Sequence, residues 1–462
     1  DGIVCKNDLK FWNGTIVVHA VDDGIRGKDS VRIGDPTATD YSNLKVTVNT
    51  NNGTSGGDGI KSTNDTDKNS GYVTINGGTV SIQSYSDGIQ AEQAFTMNGG
   101  DVTIETYSGR TFTGSASGGN SGNPWGGGMG GGGMDGNANK TDISAKGIKA
   151  VGLYSDEAKT TYVSGGDITI NGGTLNIDSS DDSLHCAGTM QILGGDLKLA
   201  SADDGIHSDT DVIIGSESDA TNYTSPSVDI SYSYEGVEGV TVTMNSGSVM
   251  VYSTDDGFNA AGGADSSGNS NPGGWGQGGW GGGSSSSSND YKLTFNGGYT
   301  YVNAAGDGLD SNGDMFINGG YIFVSQTGGG NGPLDCGDNN NSINYTGGVL
   351  VAGGSSDMFE TPSSYSFLTS SSLAAGSTVT FTDSNGTVLA TMTFANSSSK
   401  MVMSAPENSV TCYTGGTLSG TTYFPSSTSD ANRSVVCGYG GTISGGTTVS
   451  ASSGGGGGGW NW

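Results

Sequence analysis

The sequence predicts an all-β protein, a parallel β-helix of 22-residue coils followed by a small antiparallel β domain. Three observations predict it. An acidic–Gly–apolar–polar–small motif recurs along the chain. Asp203-Asp204-Gly205-Ile206-His207-Ser208 is its fullest copy, and the chain opens on another, Asp1-Gly2-Ile3-Val4-Cys5. Further copies start at Asp23, Asp58, Asp87, Asp182, Glu235, Asp256 and Asp307, with degenerate ones at Lys146 to Ala150 and Gly332 to Cys336. A second motif, Asn-Gly-Gly, alternates with the first at Asn76, Asn98, Asn171, Asn296 and Asn318. The spacing is regular: Asn76 to Asp87, Asn171 to Asp182, Asn296 to Asp307 and Asp307 to Asn318 are each 11 residues, so two half-turns make 22.

A period in the 20s with Gly or Asn corners is the signature of a β-solenoid coil, and stacked coils share one long core. Two short strands per coil are expected. Gly follows the corner acid because a side chain there would obstruct the backbone. Strand alternation then points the next apolar residue inward, the polar one outward and the small one inward. The interior small column is Cys5, Gly27, Ser62, Ala91, Ala150, Cys186, Ser208, Gly239, Ala260, Ser311 and Cys336.

In chain order, coils fill 1–108 with a side loop expected at Ser30 to Tyr41. A Gly/Ser/Met tract with Trp125 interrupts them at about 108–142, and a Gly/Ser tract with Trp275 and Trp280 at about 262–289. The β-helix as a whole spans 1–360. The period is lost over 361–450, where Val379–Thr382 and Val388–Met392 flank Asp383-Ser384-Asn385-Gly386, a hairpin signal. A Gly/Trp-rich tail, 451–462, closes the sequence with Trp460 and Trp462.

Composition agrees with this architecture. Gly supplies 86 of 462 residues, and a solenoid escapes the usual limit on single-core size. With 46 acidic against 17 basic residues, nucleic acid and anionic membrane are poor partners. No apolar run reaches the ~20 residues that span a bilayer. No signal peptide is visible, and Asp1-Gly2-Ile3 already lies inside a repeat, so a processed or longer N-terminus is expected. Cys5, Cys186 and Cys336 fall in the interior column many coils apart and read as small buried hydrophobes. Cys412 and Cys437 share the C-terminal region, and the sequence leaves their pairing open.

Chemistry is expected on the corner columns. Coils stack every ~4.8 Å, so Asp182, Asp204, Glu235, Asp256 and Asp307 form a ladder of carboxylates, preceded by a parallel column of Asp181, Asp203 and Asp255. Two unit charges at that spacing repel by about 3 kcal/mol at an effective dielectric near 20. A single corner Asp is explained by accepting turn N–H groups. The doubled Asp203-Asp204 and Asp255-Asp256, with Glu235 and Glu238, point instead to Ca²⁺, which takes hard oxygen ligands at flexible spacing. His185 and His207 share the outward column one coil apart. Zinc would need third and fourth ligands of defined geometry, so both read as exposed surface histidines. No Ser–His–Asp triad is supported, and no catalytic residue is expected.

With Ser233-Tyr234-Glu235-Gly236-Val237-Glu238-Gly239, Asp255 to Gly263 and Gly306 to Gly313, these corners resemble the clostridial-type bacterial carbohydrate-binding domain family over roughly 1–450. That resemblance implies a right-handed β-helix similar to polysaccharide lyases, and an extracellular, cell-surface Ca²⁺-binding protein whose partner is a plant or acidic polysaccharide. Lys146 in place of the acid, Ser183 in place of Gly, and the Gly332-Pro333 corner depart from the pattern and put Ca²⁺ in doubt at those coils. Three functions compete: carbohydrate binding, a lyase using Lys61 or Lys149 as base, and a structural subunit. Neither lysine is expected in an acidic cluster. The structural reading expects a homo-oligomeric filament, with open coil ends stacking head to tail and Trp125, Trp275, Trp280, Trp460 and Trp462 at the contacts.

Overall fold

A computed structural model describes residues 1–112, 144–155, 162–261, 291–337, 341–424 and 436–452. The two Gly-rich tracts and the tail fall almost wholly outside these residues, as do the five Trp named for subunit contacts. Among the described residues the coils stack into three parallel sheets of 10, 11 and 11 strands, the third extended to 13 by two antiparallel strands of the C-terminal region. The fold is the parallel β-helix expected, but each coil has three strands rather than two.

One coil shows the path. Ile60–Ser62 lies in the first sheet, Tyr72–Ile75 in the second and Thr79–Ser84 in the third. The next coil repeats it with Ile89–Ala91, Ala94–Met97 and Asp101–Thr106. Their register is one-to-one, Val80↔Val102 and Phe95↔Val73, so like residues stack on like. Ser30–Ile33, expected as the start of a side loop, is instead a second-sheet strand paired with Asp8–Phe11. Its apolar Val31 and Ile33 face the core and leave the loop to begin at Gly34.

Alternation along each strand places one continuous core inside the three sheets, with Ile60, Ile75, Val80, Ile89, Phe95 and Val102 all fully or almost fully buried. Within the small column Ala91, Ala150, Cys186 and Ser208 stack one coil on another. The corner glycine is required by close approach. A Cβ on Gly88 would stand 2.5 Å from the carbonyl oxygen of Gly147 and 2.3 Å from Ile104. At the opposite corner the third residue of Asn-Gly-Gly adopts a left-handed backbone, φ +93° at Gly78. The asparagines there form a ladder of their own: Asn98 Nδ2 donates to Asn76 Oδ1 at 2.8 Å, and Asn171 to Asn98 at 2.8 Å.

The C-terminal region builds a second core on the outside of the helix. The hairpin forms as expected, with Phe381 opposite Ala390, inside a six-stranded antiparallel sheet. That sheet packs Val379, Phe381, Met392 and Cys437 against the outward side chains Tyr299, Tyr301, Phe323 and Val351 of the third sheet. Lys400–Ser404 also joins the third sheet directly, antiparallel to Val349–Gly354, so backbone pairing crosses residue 360. All five cysteines are free. Cys412 and Cys437 do not pair because two strands separate theirs in the sheet order, about 14 Å at ~4.8 Å per strand, beyond the reach of a disulfide.

Two outcomes test this register. Replacing Ala91 by Leu overpacks the interior and should cost about 1–3 kcal/mol, read as a lower denaturation midpoint, while the half-buried outward Gln90→Leu should be almost silent. Thiol titration of the unfolded, unreduced chain should count all five cysteines; three would restore a Cys412–Cys437 bridge.

Candidate functional site

The corner between the third and first sheets carries one ionisable residue per coil, and its geometry follows from the backbone. Seven of the corner carboxylates accept the N–H of the corner residue in the next coil. Asp23 Oδ1 takes the N–H of Asp58, Asp58 that of Asp87, and Asp87 that of Lys146, at 3.1, 3.1 and 2.9 Å. Asp182 serves Asp204 and Asp204 serves Glu235, both at 3.1 Å, and Asp256 and Asp307 continue the series to Asp307 and Gly332. One oxygen of each acid therefore performs a turn-capping task.

The second oxygen faces the residue three positions on, the outward residue of the first-sheet strand. That column runs in register through Arg26, Lys61, Gln90, Lys149, His185, His207, Glu238, Asn259 and Asp310. It begins basic and ends acidic. Lys61 Nζ lies 2.6 Å from Asp58 Oδ2, and Lys149 Nζ 3.9 Å from Asp87 Oδ2. Both lysines thus sit within the acidic column, contrary to expectation, Lys61 over its own corner and Lys149 over that of the preceding coil. Burial works against the Lys61 charge, but Asp58 outweighs it and raises its pKa; the same burial, with Asp87 beside it, raises Asp58.

Lys146 takes the place of a corner acid and is fully buried. Its Nζ donates to Asp181 Oδ1 at 2.9 Å and Asp182 Oδ2 at 2.6 Å. Asp203 completes that cluster. The substitution supplies a built-in cation among three buried carboxylates.

His185 and His207 are buried, not exposed, since neighbouring coils cover the column on both sides. Their rings stack at 4.8 Å and 6°. His185 Nδ1 is 2.8 Å from Asp182 Oδ2, and burial together with Lys146 lowers its pKa. His207 Nδ1 lies 2.6 Å from Glu238 Oε2 and 3.3 Å from Asp204 Oδ2. Burial opposes its charge, but Glu238, Asp204 and Asp209 prevail and hold its pKa well above the usual value.

Beyond Glu238 no basic side chain appears in the column. Asp256, Asp307 and Asp310 bring oxygen atoms within 4.8 Å of one another. Burial, with Asp310 and Asp307 beside it, pushes Asp256 up to about 9, and burial lifts Asp307 to about 7. Glu235 is also raised well above its usual range by burial and Glu238. Asn259, almost fully buried, donates Nδ2 to Glu235 Oε2 at 2.9 Å, while its Oδ1 has no hydrogen-bond partner. The expected single ladder is therefore three separate groups: Asp181, Asp182 and Asp203 around Lys146; Asp204 and Glu238 at His207; Asp256 and Asp307 with Asp310. Asp255 stands outside them, its N–H donating to Tyr234 O. Lys146, Asn259 and Asp310 were not singled out from sequence as cation partners, although the three-residue offset from acid to outward residue marks the last two.

Fold and corner chemistry define a parallel β-helix with one acidic edge. A family model of carbohydrate-binding domain-containing proteins matches residues 1–205 and 188–270. That is more than half of the chain, which belongs to this family. Searches of curated proteins and of solved structures found no match.

Removing the built-in cation leaves buried carboxylates uncompensated, so Lys146→Met should destabilise by about 3–5 kcal/mol, seen as a lower melting midpoint. The raised carboxyls set a pH dependence as well. They bind a proton more tightly folded than unfolded, where they titrate near 3.8, so their contribution is intact below that value and is lost as pH rises through about 7 at Asp307 and about 9 at Asp256. Melting in chelator should fall across this window, and Asp256→Asn should flatten the curve.

Proposed function

We propose that this protein binds acidic polysaccharide outside the cell, with Ca²⁺ held at the Asp256–Asp307–Asp310 corner as part of the binding surface. The observation that carries the calcium reading is Asn259 Oδ1, a buried acceptor without a donor, in register beside Asp310 where the outward column has turned acidic. A cation would satisfy that acceptor. The donors are carboxylate and amide oxygens, the set that suits Ca²⁺, and its six to eight positions leave room for water and for sugar oxygens. Family membership supports the polysaccharide partner. A lyase reading is disfavoured by Lys61, whose ion pair with Asp58 stabilises the ammonium form a general base must leave.

Calorimetric titration with polygalacturonate and with a neutral glucan, each in Ca²⁺ and in chelator, tests the proposal. Ca²⁺-dependent binding of the uronate polymer, lost in Asp256→Asn and Asp310→Asn, is expected. Binding indifferent to chelator and to both variants would remove Ca²⁺ from the surface, and no binding of either polymer would remove the polysaccharide.

A further inference from the structure

We propose that His207, Asp204 and Glu238 form a separate site for a zinc-type divalent metal. His207 is buried, and its Nδ1 faces two carboxylates at once: Glu238 Oε2 at 2.6 Å and Asp204 Oδ2 at 3.3 Å. The three donor atoms lie within 4.8 Å of one another. Tetrahedral Zn²⁺ with ligands at ~2.0–2.1 Å has donor–donor edges of about 3.3 Å. The Asp204–His207 edge already has that length. The Glu238 edge needs to open by about 0.7 Å to match, a small movement for a long side chain that is 15% exposed.

The far side of the ring points the same way. His207 Nε2 is 3.3 Å from Asp209 Oδ1. A metal-bound histidine characteristically donates its other ring N–H to a carboxylate, which fixes the tautomer and strengthens the ligand. His185 lies parallel beneath the imidazole, while its own Nδ1 is engaged by Asp182, so it braces the ring plane without serving as a ligand. A nitrogen donor with two carboxylates and an open fourth position is the set of a zinc site, whereas Ca²⁺ takes oxygens alone. This site is thus chemically distinct from the Asp256 corner and independent of the reading given to it.

The test is isothermal titration of the chelator-stripped full chain with ZnCl₂ in excess Ca²⁺. One zinc per chain is expected. His207→Gln should abolish that binding, Glu238→Gln should weaken it, and Asp310→Asn should leave it unchanged. Asp209→Asn keeps all three ligands and the side-chain shape, and should lower affinity by roughly 10–100-fold, so it decides the matter if His207→Gln fails to fold. Absence of zinc binding, or zinc binding unaltered by both His207→Gln and Asp209→Asn, overturns the proposal.

Discussion

The hydrogen bond from a corner N–H to the carboxylate of the preceding coil, repeated at seven corners, is the constraint on which this structure turns. It satisfies a backbone donor at the tightest point of the coil, where glycine has removed any side chain that would help. Its cost is a column of acids one strand spacing apart. Along most of the stack the chain offsets that repulsion with its own cations: Arg26 beside Asp1 and Asp23, Lys61 on Asp58, Lys146 between Asp181 and Asp182, and His207 between Asp204 and Glu238. At Asp256 and Asp307 burial and neighbouring acids instead raise the carboxyl pKa. One backbone requirement thus gives rise to two different electrostatic regions on one edge.

The third sheet holds a different balance. Its inward face belongs to the solenoid core, and the outward face of its later strands is covered by the C-terminal sheet through Tyr299, Tyr301 and Phe323. These strands are buried on both sides, which is why Tyr299–Ala304 and Tyr321–Gln326 read as nearly unbroken apolar or aromatic runs. The earlier strands of the same sheet, such as Asp101–Thr106, alternate cleanly between buried and exposed. The change in pattern along one sheet records where the second core begins.

Much of this was legible in the sequence because two of the three corners carry fixed chemistry. The Asp-Gly and Asn-Gly-Gly corners each impose a backbone demand that few residues meet, so period, stacking and the small interior column follow from spacing. The third bend does not: Glu92-Gln93 in one coil corresponds to Ala187-Gly188 and to Asp209-Thr210 in others. With no shared residue there, two strands read as one. The histidines were misplaced for a related reason. Alternation says that His185 and His207 point outward, which they do, but it carries no information on how fully adjacent coils enclose an outward column. The burial of Lys146 is similarly invisible, since a lysine at an acid's position reads as a lost site until its ammonium is found between Asp181 and Asp182. Cys412 and Cys437 show that closeness in sequence is no guide to strand order in an antiparallel sheet.

The antiparallel pairing of Val349–Gly354 with Lys400–Ser404 has an evolutionary meaning. A parallel stack is open-ended, and any coil can be duplicated or lost by a 22-residue unit exchange without disturbing its neighbours' register. The reversed strand ends that freedom, because only the last parallel strand meets it. Coil number can therefore drift upstream of Val349 while the terminus stays fixed. In such a chain the length of the acidic edge is a heritable variable separate from the chemistry of any one corner.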